Sequence, residues 1–470
     1  MHHYLARMLG GAAVVLMAGG VCRQGWSAQA VLALCPAAQS VPAVHRLTFD
    51  ATAEKPSDLI IAEAGQTLPP DCRRSSLPFS TDAVRWLGVL PGRGLAGDRL
   101  AITTREKSGE ILSIEEEKLQ PPRPSKHLPS RRPREGAVLP KLPAAWVWEP
   151  QMWRDDPAAL IAEARQTGIG AFYISVSIAG GAVEHAEALA AFIRRCREAG
   201  IQAYAVEGDP KMITAEGLAH AVSRARALAQ YQTAYPNAPL SGVQYDIEPY
   251  LLASFGAAPQ AAWTRWSTAL HSLSRALGEP VDAVIPYWIE DSPGAEEALA
   301  AARPALRSIT IMAYRTEQAK ILDAAAPALL FAERAGLPAT VGLEAGPIAA
   351  ERRNIFRRVK DSRATAGDLH LASLDGVTAA LLLDAPRAES ATMVFRRSHS
   401  VLSDPANVTF HGRTPQLFGV ARTLATALTA YPAAERIAFH GLSAFESPKK
   451  PDTGQPKDNP NDTKRENPAH

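Results

Sequence analysis

Four cysteines in 470 residues are too few for a disulfide scaffold or a multi-cysteine zinc array. Neither sign of charge prevails: 50 basic against 48 acidic residues leave a formal net charge of +2. Bulk-charge binding of a polyelectrolyte, nucleic acid included, is therefore not expected. The chain has no His-Glu-x-x-His helix, no Gly-x-Ser-x-Gly elbow and no Cys/His cluster at ligand spacing, so neither a metal nor a cofactor is expected. What is present is a globular composition, 46% hydrophobic and 21% charged. The length predicts two or three domains, or one large barrel with an accessory module.

Residues 1–30 read as a signal peptide. Arg7 supplies the positive n-region, Met8 to Val21 is an apolar run of 14 residues, and Ala28-Gln29-Ala30 gives a small-x-small cleavage pattern. The run falls short of the ~20 residues needed to span a bilayer. The expectation is an exported protein, periplasmic or extracellular, without stable membrane insertion. Cleavage after Ala30 removes Arg7 and Arg23 and no acid, so the mature formal charge is 48 − 48 = 0. That balance favours an uncharged or mixed-charge glycan over a polyanion. Export permits a Cys35–Cys72 bridge, a pairing the sequence leaves open. Cys196, in the helical stretch Ala188 to Ala199, reads as a small half-buried hydrophobe.

Short alternating runs punctuated by Gly, Pro and Asp predict a small β-rich accessory domain over 31–117. They include Val44 to Phe49, Leu59 to Ile61, Val84 to Leu90, Arg99 to Thr104 and Ile111 to Ile114. A packing or spacer role is the expectation for it, with carbohydrate binding as the alternative. Residues 118–143 read as a solvated Pro/basic linker. From Ala144 strands and Ala-rich amphipathic helices alternate. Candidate strands are Ala145–Glu149, Ala171–Ser177, Gln202–Glu207, Gly242–Glu248, Asp282–Ile289, Ser308–Tyr314, Ala339–Leu343 and Arg436–His440. Eight strands with helical crossovers over 144–445 predict an α/β fold, a (β/α)8 TIM barrel. A doubly wound sheet is the alternative, but no Gly-rich phosphate loop follows the first strand. The gap between the seventh and eighth strands predicts an insertion at about 347–430, with Ala391–Leu402 and Asn407–Arg413 as a β-hairpin lid at the mouth. The tail 446–470 reads as disordered.

Barrel enzymes carry their chemistry at the C-terminal ends of the strands. The fourth strand ends Tyr245-Asp246-Ile247-Glu248-Pro249-Tyr250. Side chains repeat every second residue, so Asp246 and Glu248 face the barrel interior together. Two carboxylates that close cannot both ionise freely; one pKa rises and that group becomes a general acid. The alternative is a pair of carboxylates in ion pairs with Arg or Lys at the rim. Other strand ends supply walls for a sugar site. Trp146, Trp148 and Glu149 end the first strand, Glu207 and Asp209 follow the third, Tyr287 and Trp288 close the fifth, and His440 ends the eighth. Aromatic faces stack on pyranose rings and carboxylates accept hydroxyl hydrogen bonds. Trp263 and Trp266, three apart in a helical run, read as packing against the barrel.

The stretch Ser241-Gly242-Val243-Gln244-Tyr245-Asp246-Ile247-Glu248 resembles Asp-Gly-x-Asp-x-Asp-x-Glu, the fourth-strand signature of glycoside hydrolase family 18, the chitinase-type barrels. Gly242 and the last two acids match, while Ser241 and Gln244 stand where the family has Asp. Met312-Ala313-Tyr314 is similar to that family's Met-x-Tyr on the sixth strand. The resemblance covers the barrel only. It implies substrate-assisted retaining hydrolysis of an N-acetylhexosamine-containing polysaccharide or oligosaccharide. Glu248 would protonate the glycosidic oxygen, Asp246 would orient the 2-acetamido group, and Tyr314 would hydrogen-bond it. Gln244 in place of Asp removes a charge that would help set the proton on Asp246.

A second arrangement pairs Glu248 as acid/base with Glu344, at the end of the seventh strand, as nucleophile, similar to the large clan of retaining barrel glycosidases with carboxyls ~5–5.5 Å apart. Glu344 is otherwise a substrate contact, or a rim residue paired to Arg315. Gln244 and Arg315 join Trp148, Glu149, Glu207, Tyr287, Trp288, Glu344 and His440 as candidate substrate-binding residues. A non-catalytic polysaccharide-binding or assembly protein on the same barrel is the third reading. The oligomeric state is left open.

Overall fold

A computed structural model describes residues 29–445 except 37–42, 44, 53–54, 91–97, 107–110, 117–130, 134–138, 253–254, 256–257, 360–367, 376 and 384–393. The signal segment up to residue 28, most of the linker and the tail 446–470 lie outside the described residues.

The N-terminal strands are β1 (Gln29–Pro36), β2 (His45–Thr52), β3 (Lys55–Glu63), β4 (Arg73–Ser80), β5 (Val84–Leu90), β6 (Arg99–Arg105) and β7 (Ile111–Glu116). The barrel starts with β8 (Ala144–Val147), α1 (Pro150–Asp155), α2 (Pro157–Thr167) and β9 (Ala171–Ser175). A two-residue ribbon, β10 (Ile178–Ala179) with β11 (Ala182–Val183), precedes α3 (Ala186–Glu198) and β12 (Gln202–Glu207). Next come α4 (Ala215–Ala234), β13 (Val243–Tyr245), α5 (Pro259–Leu277), β14 (Val281–Pro286), α6 (Ala295–Ala302) and β15 (Leu306–Met312). They are followed by α7 (Gln318–Ala335) and β16 (Ala339–Glu344). The insertion holds β17 (Glu351–Val359), β18 (Leu369–Leu374), β19 (Val377–Leu383) and β20 (Val394–Ser403); α8 (Thr414–Leu428) and β21 (Ala434–His440) complete the barrel.

The parallel strands close in the order β8-β9-β12-β13-β14-β15-β16-β21, with β21 paired back to β8. The (β/α)8 barrel read from the sequence is thus the observed fold, and each of the eight candidate strands overlaps one of its members. Strands such as β14 and β16 are buried along their whole length, because helices seal the outside and packed side chains fill the inside. α5 shows how the sequence sets the helical layer. Pro259 starts it, Gly278 in the left-handed region ends it, and Trp263, Trp266, Leu270 and Leu273 form its buried face. Both tryptophans pack in the core as expected.

The accessory β structure departs from the expected arrangement. β1–β4 form a four-stranded sheet in the order β2-β3-β1-β4. The second sheet has seven strands in the order β5-β19-β18-β20-β17-β6-β7, so four of its members come from the insertion after β16. Ala30, Leu32, Leu59 and Ile61 of the first sheet share a core with Ala379, Leu381, Leu383 and Val394 of the insertion. The insertion is therefore not a hairpin lid. β20 pairs antiparallel with β17, and β17 pairs on its other side with β6. The physical reason is edge satisfaction: β5 and β6 have backbone edges to fill, and the insertion supplies the partner strands. The second half of the expected hairpin instead returns to the barrel. Thr409 bridges to Glu344, and the Phe410 amide donates to the Glu344 carbonyl oxygen at 2.8 Å.

Cys35 and Cys72 form a disulfide, joining β1 to the turn before β4. Cys196 is the buried free thiol of α3. The cleavage point expected after Ala30 falls inside β1, where Ala30 is fully buried and stands opposite Glu63. The linker is not simply solvated: Arg131 donates to Glu333 at 2.6 Å and lies over the Tyr431 ring at 5.5 Å.

Candidate active site

Gly242, just before β13, has φ +150°, and a Cβ there would fall within 2 Å of the Arg307 guanidinium. Arg307 is anchored there by Asp282 and by the Ser241 carbonyl oxygen, accepting at 2.6 Å. The motif glycine thus serves the bottom of the barrel. At the top, the Asp246 amide donates to the Glu207 carbonyl oxygen at 2.8 Å, and Gly208 leaves room for the Asp246 backbone.

Gln244 lies within β13, and Asp246 and Glu248 follow its last residue, Tyr245, near enough for the Asp246 charge to bear on Glu248. Gln244 is fully buried: it accepts from Trp146 Nε1 at 2.8 Å and donates to Thr310 Oγ1 at 3.0 Å. This corrects its place among the substrate contacts, because both ends of its amide are occupied beneath the mouth. Asp246 is half-buried, and its Oδ1 is out of solvent with no hydrogen-bond partner among the described residues. Glu248 is 4% exposed and accepts a hydrogen bond from the Tyr250 hydroxyl.

Burial dominates the electrostatics. It pushes the Asp246 carboxyl up to about 6, against the opposing pull of the His440 charge. Burial also raises Glu248 well above the usual carboxylate range; the Asp246 charge adds to this, and the Tyr250 hydrogen bond works against it. Burial thus favours the protonated form of both acids, and the charge of one bears on the other. Tyr314, 4% exposed at the end of β15, lies in the same field. Burial raises its phenol first, followed by the charges of Glu344, Asp246 and Glu248.

Glu344 and His440 form a unit that sequence reasoning named separately but did not join. Glu344 is fully buried; its Oε1 accepts from the Gly346 amide at 2.5 Å and its Oε2 stands 2.7 Å from His440 Nδ1. The other ring nitrogen of His440 accepts from Trp148 Nε1 at 3.0 Å. The imidazole stacks on Tyr314 with centroids 6.2 Å apart and meets the Trp146 and Trp148 rings edge-on at 5.7 and 5.9 Å. The expected Glu344–Arg315 pair is absent, since Glu344 turns inward and Arg315 lies on Tyr287. The signal available in the sequence was that Glu344 and His440 end neighbouring strands, whose register sets them side by side.

Of the other expected contacts, Trp148, Tyr287 and Trp288 line the mouth half-buried, and Glu149 is exposed at the start of α1. Trp288 packs edge-on to Tyr250 at 4.8 Å. Glu207 is corrected: both its oxygens accept from Arg224 of α4 at 2.7 Å, so its carboxylate tethers a helix to the barrel wall. Among the described residues no group of three or more His, Cys, Asp or Glu side chains could hold a metal ion, and no helix is long and apolar enough to cross a membrane.

No protein-family model matches the chain, and no curated protein matches it. Among solved structures it is similar to the spore cortex-lytic enzyme of Bacillus cereus, at 9% identity over 64% of this chain and 71% of that one, with a TM-score of 0.35. It is similar to a GH18 chitinase from the chitin utilization locus of Flavobacterium johnsoniae, at 12% identity over 64% and 88%, with a TM-score of 0.33. Another is the tryptophan synthase alpha chain of Legionella pneumophila, at 10% identity over 43% and 71%, with a TM-score of 0.28. At such identities and scores the function must be argued from this chain's own residues.

Proposed function

We propose that the barrel is a glycoside hydrolase acting on an N-acetylhexosamine-containing polysaccharide, with Glu248 as general acid. One observation carries the reading: two acids, Asp246 and Glu248, follow the end of β13 at the mouth, where burial and the Asp246 charge favour a proton on Glu248. A protonated Glu248 would donate to the leaving glycosidic oxygen. Asp246 Oδ1 would accept the N–H of the substrate's acetamido group and so aim its carbonyl oxygen at the anomeric carbon. The Tyr314 hydroxyl, kept protonated by burial, would donate to that same carbonyl oxygen. Trp146, Trp148 and Trp288 would bound the sugar ring.

The two-carboxylate alternative fares less well. Both Glu344 oxygens already accept, from the Gly346 amide and in the His440 contact. Glu344 acts here through His440 as a positioning residue. Export is part of the reading, supported by the N-terminal sequence and by the Cys35–Cys72 disulfide.

Replacing Glu248 with Gln keeps the shape and the Tyr250 contact but removes the transferable proton. Release of reducing ends from β-linked amino-sugar polymers should fall by at least ~100-fold, the lower end of general-acid contributions. Binding without hydrolysis by the unaltered protein would favour a polysaccharide-binding role instead.

A further inference from the structure

Arg315 follows Tyr314 directly at the end of β15 and is half-buried at the mouth. Its guanidinium lies 4.5 Å from the centroid of the Tyr287 ring, donates to the Tyr287 hydroxyl at 2.6 Å and donates to the Tyr314 carbonyl oxygen at 2.7 Å. Stacking and two hydrogen bonds from different groups fix the plane of the fork. All of its partners are neutral. Among the described residues Arg315 makes no ion pair, although Asp246, Glu248 and Glu344 open into the same barrel. The charges bearing on Asp246 and Glu248 are those of His440 and of Asp246 itself, not that of Arg315. The guanidinium is therefore held apart from Asp246 and Glu248, with no carboxylate paired to it among the described residues.

A half-buried guanidinium is costly to hold rigid without a counter-charge. Two of its five N–H donors are taken by the oxygens just named, which leaves donors in a fixed fork of the kind that matches a carboxylate. Lysine could not reproduce this arrangement, because a flexible ammonium neither stacks on Tyr287 nor offers a planar pair of donors.

We propose that Arg315 receives a carboxylate borne by the sugar adjoining the cleaved N-acetylhexosamine, making the substrate an acidic amino-sugar polymer. The assignment rests on the glycosidase reading for the position of the cleaved sugar, but its test needs no turnover. The Tyr287 ring and hydroxyl set the angle of the fork, so Tyr287 is the positioning residue for this contact.

The test uses the full chain with Glu248→Gln, titrated calorimetrically with hyaluronan hexasaccharide, the same hexasaccharide with its carboxyls methyl-esterified, and chitohexaose. The acid form should bind about tenfold or more tighter than the ester, the worth of one charge-assisted contact. Adding Arg315→Met should abolish that preference, bringing the acid and the ester to equal affinity, while chitohexaose still binds. Arg315→Lys, which keeps the charge and guards against misfolding of the first variant, should retain only part of it. No binding of the acid, equal affinity for acid and ester, or a preference that survives Arg315→Met would each overturn the assignment. Failure of the glycosidase reading is a separate result, seen as unchanged turnover in Glu248→Gln.

Discussion

Gly208 offers a direct test of how finely Asp246 is placed. An alanine Cβ at 208 would sit 2.5 Å from the Asp246 carbonyl oxygen and 2.9 Å from the Asp246 Cβ, where ordinary contact begins near 3.4 Å. Both obstacles belong to the backbone or lie next to it, so no flexible side chain can move aside. Relief requires the end of β13 to retreat by roughly 0.9 Å, the difference between 3.4 and 2.5 Å. Overpacking of this kind costs about 1–3 kcal/mol, or roughly 2–10 °C of melting temperature for a domain of this size. The effect on turnover should be far larger, because a displacement near 1 Å in a catalytic group costs on the order of 100-fold. Gly208→Ala should therefore fold, melt slightly early and lose about two orders of magnitude in kcat on an amino-sugar polymer. Melting by circular dichroism together with reducing-end assays reads both quantities. Full activity in a variant with unchanged melting would refute the claim that Asp246 is held in place by this backbone contact.

Two further predictions concern protons. The Asp246 charge is the second cause raising Glu248, after burial, so Asp246→Asn should lower the Glu248 pKa. Carboxyl carbon NMR titration of the two proteins reads this, and an unmoved or raised Glu248 would contradict the coupling. In the accessory sheet, burial pushes His370 of β18 down to about 4 from an ordinary 6.5. The unfolded chain then binds the proton more readily than the folded one between those values, so this group's stability contribution is present above pH 6.5 and is lost as pH falls toward 4. The shift corresponds to roughly 3 kcal/mol. His370→Leu should flatten that part of the stability profile, measured as urea unfolding at pH 7 and at pH 4; equal pH dependence in both proteins would count against it.

The barrel was legible because its signal is local and repeated. Eight apolar strands alternate with Ala-rich helices, and each strand end can be read for chemistry on its own, which singled out Asp246 and Glu248 as candidates. What the sequence did not reveal is pairing between segments far apart in the chain. β6 pairs with β17, 252 positions away from Arg99 to Glu351, and no periodicity within either run points to the other. The insertion therefore read as a lid when it completes a sheet. The same limit hid how the polar groups of the site are engaged. Gln244, Glu207 and Glu344 all stand at strand ends with the chemistry of sugar contacts, and only Trp146, Arg224 and His440, on other elements, decide where their polar atoms are engaged.

Net charge says little about the mouth. The balance of acids and bases suggests an uncharged or mixed-charge glycan, but net charge governs long-range steering and solubility rather than the contacts made inside a cleft. Inside the mouth the acids are buried beside one another or beside His440, and the guanidinium of Arg315 lies on a tyrosine instead of on them. On the proposed function, an arrangement that only neutralised the two acids would let Arg315 reach them; holding it away would favour the proton on Glu248, which burial and the Asp246 charge already raise. The arrangement would then serve two ends together, an acid that keeps its proton for the leaving group and a cation available for a charge brought by the substrate.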